Sequence, residues 1–99
     1  MEATVKLQQL RYLTAIARNN LNISAAAESL YTSQPGISKQ LRLLEEELGV
    51  ELFSRNGKHL TEITPIGRQI IAKAESILRE LNNIQILAEE YRDDRKGSL

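Results

Sequence analysis

Apolar and polar positions follow the period of an α-helix in four stretches of the chain, and the stretch between the third and the fourth breaks that period. Leu7, Leu10, Leu13, Thr14 and Ala17 share one face of a helix predicted over Leu7 to Asn19. Val5, Tyr12 and Ile16 form a second apolar patch, although a small domain needs only one buried stripe. That patch either widens the buried face or meets a later helix or a partner chain. Asn19-Asn20-Leu21-Asn22 has the composition of a turn, because Asn side chains bond their own backbone. Ser24 is the expected N-cap of a second helix, Ala25 to about Tyr31. Ala26 and Ala27 there allow close helix approach, and Leu30 is the expected core anchor. Thr32 and Ser33 offer caps for a third helix, Gln34 to about Leu48, closed by Gly49 at C′.

Residues 50–63 change character. Leu52-Phe53 and Leu60-Thr61 are two short strand-compatible runs flanking Asn56-Gly57, which predicts a hairpin. Thr64-Pro65 then reads as a cap followed by Pro at the first helical position. A long helix is predicted from Pro65 to about Tyr91, with residues 92–99 as a frayed tail or linker. Its apolar positions Ile70, Ala74, Ile77, Leu81, Ile84, Ala88 and Tyr91 are spaced 4, 3, 4, 3, 4, 3, which is a heptad seam. Ile63 and Gly67 extend the register backward, and Ile71 and Leu78 make a side stripe suited to the second patch of the first helix. A helix of that length reaches about 40 Å, more than the small domain before it can cover. The seam therefore predicts a homodimer through this helix, the plainer alternative being a helix folded back along its own domain. The fold class is mainly α: a winged helix-turn-helix of three short helices plus a two-stranded wing, followed by a long linker helix.

The third helix carries the candidate chemistry. Ile37, Leu41, Leu44 and Leu48 share its inward face. Pro35, Ser38, Lys39 and Arg42 cluster on another side, which is polar and basic at its N-terminal end. A recognition helix needs this arrangement, with its C-terminal half in a core and its N-terminal half in a major groove. Gly36 permits close approach, and unpaired N–H groups at a helix start favour a phosphate. Gln34 is suited to adenine, Pro35 to a thymine methyl, Ser38 to a base or phosphate and Lys39 to guanine or phosphate. The plainer account of Ser33-Gln34-Pro35 is a cap, with Lys39 and Arg42 as solvated surface. Two short helices joined by a short turn, with alanine where they cross, favour the helix-turn-helix. Arg55, Lys58 and His59 surround the hairpin loop, and Arg55 and Lys58 are candidate phosphate or minor-groove contacts. His59 is a poor metal candidate, with no second His and no Cys beside it.

Composition bounds these readings. At 99 residues the chain suits one small domain. Thirteen basic residues balance thirteen acidic ones, which argues against a generally adhesive polycation while leaving room for a local patch. Cys is absent, which removes disulfides and thiolate chemistry and suits a cytoplasmic protein. No run is long and apolar enough for a bilayer, and MEATVKLQQL has no apolar core of a secretory signal. One His, no Cys and no nucleophile–base pair leave no candidate catalytic residue, metal site or cofactor in this chain. A winged-helix module that binds protein, with its long helix as the main surface, is the competing reading. The basic face of the third helix favours DNA over it.

The run AAESLYTSQPGISKQLRLLEEELGVELFSRNGKHLTEITPIG closely resembles the N-terminal domain of LysR-type transcriptional regulators. The shared features are an Ala-Ala helix, Ser-Gln-Pro opening the recognition helix, Leu-Glu…Leu-Gly closing it and Leu-Phe-x-Arg leading the wing. Within that family KLQQLRYL, LNISAAAESLYTSQPGISKQ and FSRNGKHLTEITPIG look most like the branch controlling cysteine biosynthesis and sulfur assimilation. Gly36 and Lys58 depart from the general pattern, where Ala and Arg are common, and agree with that branch. Ile66, where Ala is common, does not. The resemblance implies base contacts at Gln34, Pro35, Ser38 and Lys39, with Arg55 and Lys58 near the wing. Ser24, Thr32, Ser33 and Arg42 are implied phosphate contacts on weaker grounds. It implies residues 1–63 as the DNA-binding unit, 64–91 as the linker and dimerisation helix, and 92–99 as a hinge toward an absent effector domain. It further implies a dimer on an interrupted inverted repeat of double-stranded DNA, a tetramer when full length, and a small-molecule effector bound by the C-terminal domain. A regulon other than the sulfur one is the alternative within the family.

Overall fold

The computed structural model describes residues 4–97, with side chains described for 4–93. Helix α1 spans Leu7–Arg18, α2 Ile23–Ser29 and α3 Gln34–Leu48; strands β1 (Phe53–Asn56) and β2 (His59–Ile63) form the wing, and α4 spans Pro65–Gly97. Local chemistry sets most of these boundaries. Gln9 Oε1 accepts from Lys6 N at the start of α1, and Ser33 Oγ accepts from Gly36 N at the start of α3. Gly49 ends α3 in the left-handed region, φ 72°, where an L side chain would be strained. Thr64 starts α4: its Oγ1 accepts from Gly67 N and donates to Glu51 O.

Three short helices, the N-terminal third of α4 and the wing root share one core. Leu13, Ile16, Ile37, Leu44, Leu52 and Phe53 are its largest fully buried side chains. Ala26 and Ala27 are buried where α2 passes α1 and α3, as their small size allows. Ile71 and Ala74 seat α4 on α1. Gly67 is buried at the wing–α4 junction, where a Cβ would lie 2.2 Å from the Leu52 carbonyl oxygen. Thr64 N donates to that same oxygen, so the backbone of the wing entry and the start of α4 are in direct contact.

Several expectations need correction. The N-cap of α2 is Asn22, whose side chain accepts from Ala25 N, and Ser24 lies inside the first turn. Asn22 can cap because Asn20 and Leu21 bend the chain through positive φ just before it. Leu30 is half-buried at the C-cap of α2 and packs against the core's edge. Leu7, expected inside, is 45% exposed, while Ile16, placed on the second patch, is fully buried. The buried face of α1 is thus rotated toward Ile16, because α4 packs on it. The hairpin turns at Gly57-Lys58, with Asn56 already paired to His59. Gly57 has φ 65° at the first loop position, the place of glycine in a type II′ turn. In the expected dimer seam, Ala74 is 2% exposed within its own domain and Ile70 is half-buried there. α4 also continues past Tyr91 to Gly97, because loss of apolar periodicity does not stop a helix and no Pro or Gly intervenes. Residues 98 and 99 of the expected tail lie outside the described residues.

Candidate nucleic-acid interface

The reading end of α3 follows from the same stripe that builds the core. With Ile37, Leu41 and Leu44 buried, the opposite face must look outward. Gln34, Pro35, Lys39 and Arg42 are exposed there, and Ser38 is half-exposed. Gln34 Nε2 donates to Ser38 Oγ at 2.9 Å, one helical turn on, which holds the amide along the helix axis. Charge along α3 runs opposite to what stabilises an isolated helix. Cations favour a helix C-terminus and anions its N-terminus. Here the first turn holds no acid and the last turn no base. Lys39 and Arg42 stand in the first two-thirds, while Glu45, Glu46 and Glu47 crowd the end. Inverted local rules of this kind mark functional surfaces. The basic side chains at its acid-free start leave the N-terminal half of α3 suited to an anion.

Two adjoining grooves flank this helix. One runs between α3 and the wing, past Gln34, Ser38, Arg42, Arg55 and Lys58. The other runs between the α1–α2 turn and the wing, past Asn22, Ser24, Gln34, Lys58 and His59. Gln34 and Lys58 border both, so Ser24, the start of α3 and the wing tip form one continuous surface. Thr32 is half-buried and Ser33 exposed in the turn before α3, outside both groove linings, and Ser33 is engaged as the cap. Arg55 lines the groove as expected of a wing cation but has a protein partner. Its guanidinium is paired with Glu45 at 2.6 Å, which ties β1 to the C-terminal half of α3. Lys58 is left as the exposed wing cation beside Gln34.

The sequence reading passed over one residue of this surface, Asn22, and one in the bend before α3, Tyr31. Asn22 is both a cap and a groove residue. Tyr31 is 98% exposed in the helix-turn-helix bend with φ 54°. A bulky residue at positive φ is uncommon, and only the turn geometry shows it. No group of three or more metal-ligating side chains occurs among the described residues, and no described helix is long and apolar enough to cross a membrane.

A separate apolar surface lies on α4. Leu7 from α1 joins Ile77, Leu81 and Ile84 around an open hollow flanked by Ser76 and Glu80. Ile77 is 46% and Ile84 63% exposed, and the row continues to Ala88 and Tyr91, also at the surface. Of the seven seam positions, then, four are exposed, Leu81 is half-buried in the hollow, and Ile70 and Ala74 belong to the domain's own packing.

The model of the bacterial regulatory helix-turn-helix protein, lysR family, matches residues 7–68. The HTH-type transcriptional regulator CysB of Haemophilus influenzae is 52% identical over 95 residues, covering 96% of this chain and 29% of that protein. The HTH-type transcriptional regulator Cbl of Escherichia coli K12 is 40% identical over 95 residues, covering 96% of this chain and 30% of that protein. The chain thus spans less than a third of the length of these curated relatives. Among solved structures, the DNA-binding domain of CbnR in complex with DNA superposes with a TM-score of 0.77 at 33% identity, covering 86% of this chain and 95% of that one. The match covers both helices of the helix-turn-helix, the wing and the start of α4, and on it this chain belongs to the lysR family of bacterial regulatory helix-turn-helix proteins.

Proposed function

We propose that this chain is the DNA-reading and dimerising part of a transcriptional regulator of cysteine biosynthesis or sulfur assimilation genes. The observation that carries the reading is the inverted charge of α3, with Gln34, Pro35, Ser38, Lys39 and Arg42 exposed at its acid-free N-terminal end beside Lys58 of the wing. Gln34, Pro35, Ser38 and Lys39 take the base edges of the major groove. Ser24, Thr32, Ser33, Arg42 and Lys58 take flanking phosphates. The 52% identity to a CysB supports the sulfur regulon.

Two copies pair through Ile77, Leu81, Ile84, Ala88 and Tyr91 of α4. A two-fold dimer with two reading helices binds an interrupted inverted repeat. The remainder of such a regulator carries an effector-binding domain and assembles the dimers into tetramers, and the protein works on cytoplasmic DNA.

Selection of duplexes from a random DNA library at near-physiological salt, using this chain, tests the reading. Enrichment of an inverted repeat whose half-sites recur upstream of sulfur genes is the expected outcome. An inverted repeat found elsewhere in the genome would move the protein to another regulon. Recovery of unenriched DNA would remove sequence reading from this chain.

A further inference from the structure

The join between α3 and the wing is stronger than a surface ion pair. Arg55 Nη2 donates to Glu45 Oε1 at 2.6 Å, and Nη1 reaches Oε2 at 3.5 Å. The same Oε2 accepts from Leu52 N at 2.7 Å. The Glu45 side chain is only 10% exposed, against 37% for Arg55. A carboxylate this buried, with charge-assisted donors on both oxygens, fixes geometry where an exposed pair would not. Its donors come from the residue entering the wing and from β1, while the acceptor belongs to α3. Gly57 and Lys58 turn the hairpin just beyond Arg55. The clamp therefore sets where Lys58 stands relative to Gln34 across the groove they share.

We propose that Arg55 acts on DNA through Glu45: the pair holds the wing so that Lys58 meets a phosphate while α3 reads bases, and Arg55 is a positioning residue without a phosphate of its own. This rests on the DNA-reading function proposed above. For Arg55 to reach DNA with the same N–H groups, it would have to leave Glu45, whose nine-tenths buried carboxylate would keep only Leu52 N as a donor.

The test measures binding of the chain to the selected duplex across a salt series, for the wild type and four variants. Glu45→Gln keeps an oxygen for Leu52 N and removes the charge that holds Arg55. It should weaken binding by ~10-fold, within the range of couplings between contacting residues. Tighter binding would mean that Glu45 restrains a phosphate-seeking arginine, and would overturn the proposal. Lys58→Ala should flatten the logarithmic salt dependence by about one unit. Arg55→Gln should flatten it by about one unit too, by misplacing Lys58. The double variant Arg55→Gln/Lys58→Ala should also lose about one unit, since both changes remove the same phosphate contact. A loss of about two units would give Arg55 its own phosphate and overturn the proposal. Circular dichroism melts identify any variant that fails to fold, and the Arg55 and Lys58 pair decides the matter should Glu45→Gln be one. A wild-type chain that binds no duplex would overturn the DNA-reading function itself, a separate outcome from either of these.

Discussion

α3 and α4 both carry an apolar stripe at helical period, and the two stripes end in different places. In α3, Ile37, Leu41 and Leu44 are all between 0% and 3% exposed. In α4, Ile71 and Ala74 are buried at 7% and 2%, but Ile77 and Ile84, about one and three turns past Ala74, are 46% and 63% exposed. Length separates them. α3 has 15 residues, about 22 Å, and lies within the domain. α4 has 33 residues, about 50 Å, in a molecule only 33 Å across its second axis. A period identifies which face of a helix wants cover; the size of the neighbouring domain decides whether that cover comes from the same chain.

The comparison breaks most sharply at Leu44. Leu44→Ala removes a fully buried side chain between α3 and the rest of the core, and should lower folding stability by about 2–5 kcal/mol. Urea unfolding followed by circular dichroism checks this. A loss below about 1 kcal/mol would mean that the α3 stripe is less tightly packed than its burial indicates. Ile84→Asp is the matching change on α4. It should leave the domain's own unfolding nearly unchanged and weaken the proposed dimer by about 2 kcal/mol or more, as loss of an interface anchor does. Sedimentation should then show monomers. Intact dimers would place the interface elsewhere than the exposed half of the seam.

The same contrast explains what was legible in the sequence. The α3 boundaries, its inward face and its cap at Ser33 were readable because they depend on residues within one helix turn of each other. The hairpin was readable from its composition, yet its turn was displaced by one residue, because pairing of Asn56 with His59 is decided across strands. Ala74 fitted a heptad and a domain core equally well; only the docking of α4 on α1 assigns it. The ion pair of Arg55 was not legible because its partner, Glu45, is ten residues away on another element. Asn22 lost out to Ser24 as the expected cap because positive φ at Asn20 and Leu21 cannot be read from composition. Each of these features depends on a contact between elements that local composition does not record.

Gly67 sharpens the comparison at the point where α4 leaves the domain. A Cβ there would sit 2.2 Å from the Leu52 carbonyl oxygen and 2.9 Å from Thr64 Oγ1. Helix propensity alone favours Gly→Ala by about 1 kcal/mol. The clash is with backbone that is already bonded to Thr64 N, so the start of α4 would have to move. Gly67→Ala should therefore destabilise the domain by about 1–3 kcal/mol despite the propensity gain. Urea unfolding of this variant gives the answer directly. A stabilised protein would show that the α4 start shifts freely against the wing, and that the junction does not fix the angle between reading domain and long helix.

The smallest expected effect is at the start of α3, where two neighbouring residues compete. Ser33 Oγ accepts from Gly36 N at 3.1 Å, and Ser33→Ala should cost about 1 kcal/mol by removing that cap. A Cβ on Gly36 would lie 2.9 Å from the same Oγ. Gly36→Ala thus gains about 1 kcal/mol of helix propensity and loses part of a cap of similar size, for a net change near zero. The two changes share one atom, so they should not add. In the Ser33→Ala background the obstruction is gone, and Gly36→Ala should stabilise by its full propensity gain of about 1 kcal/mol. Unfolding of the four proteins in that cycle measures the coupling. If Gly36→Ala has the same effect in both backgrounds, Ser33 Oγ rotates aside without loss, and the glycine is then explained by what approaches the outside of α3 instead of by its cap.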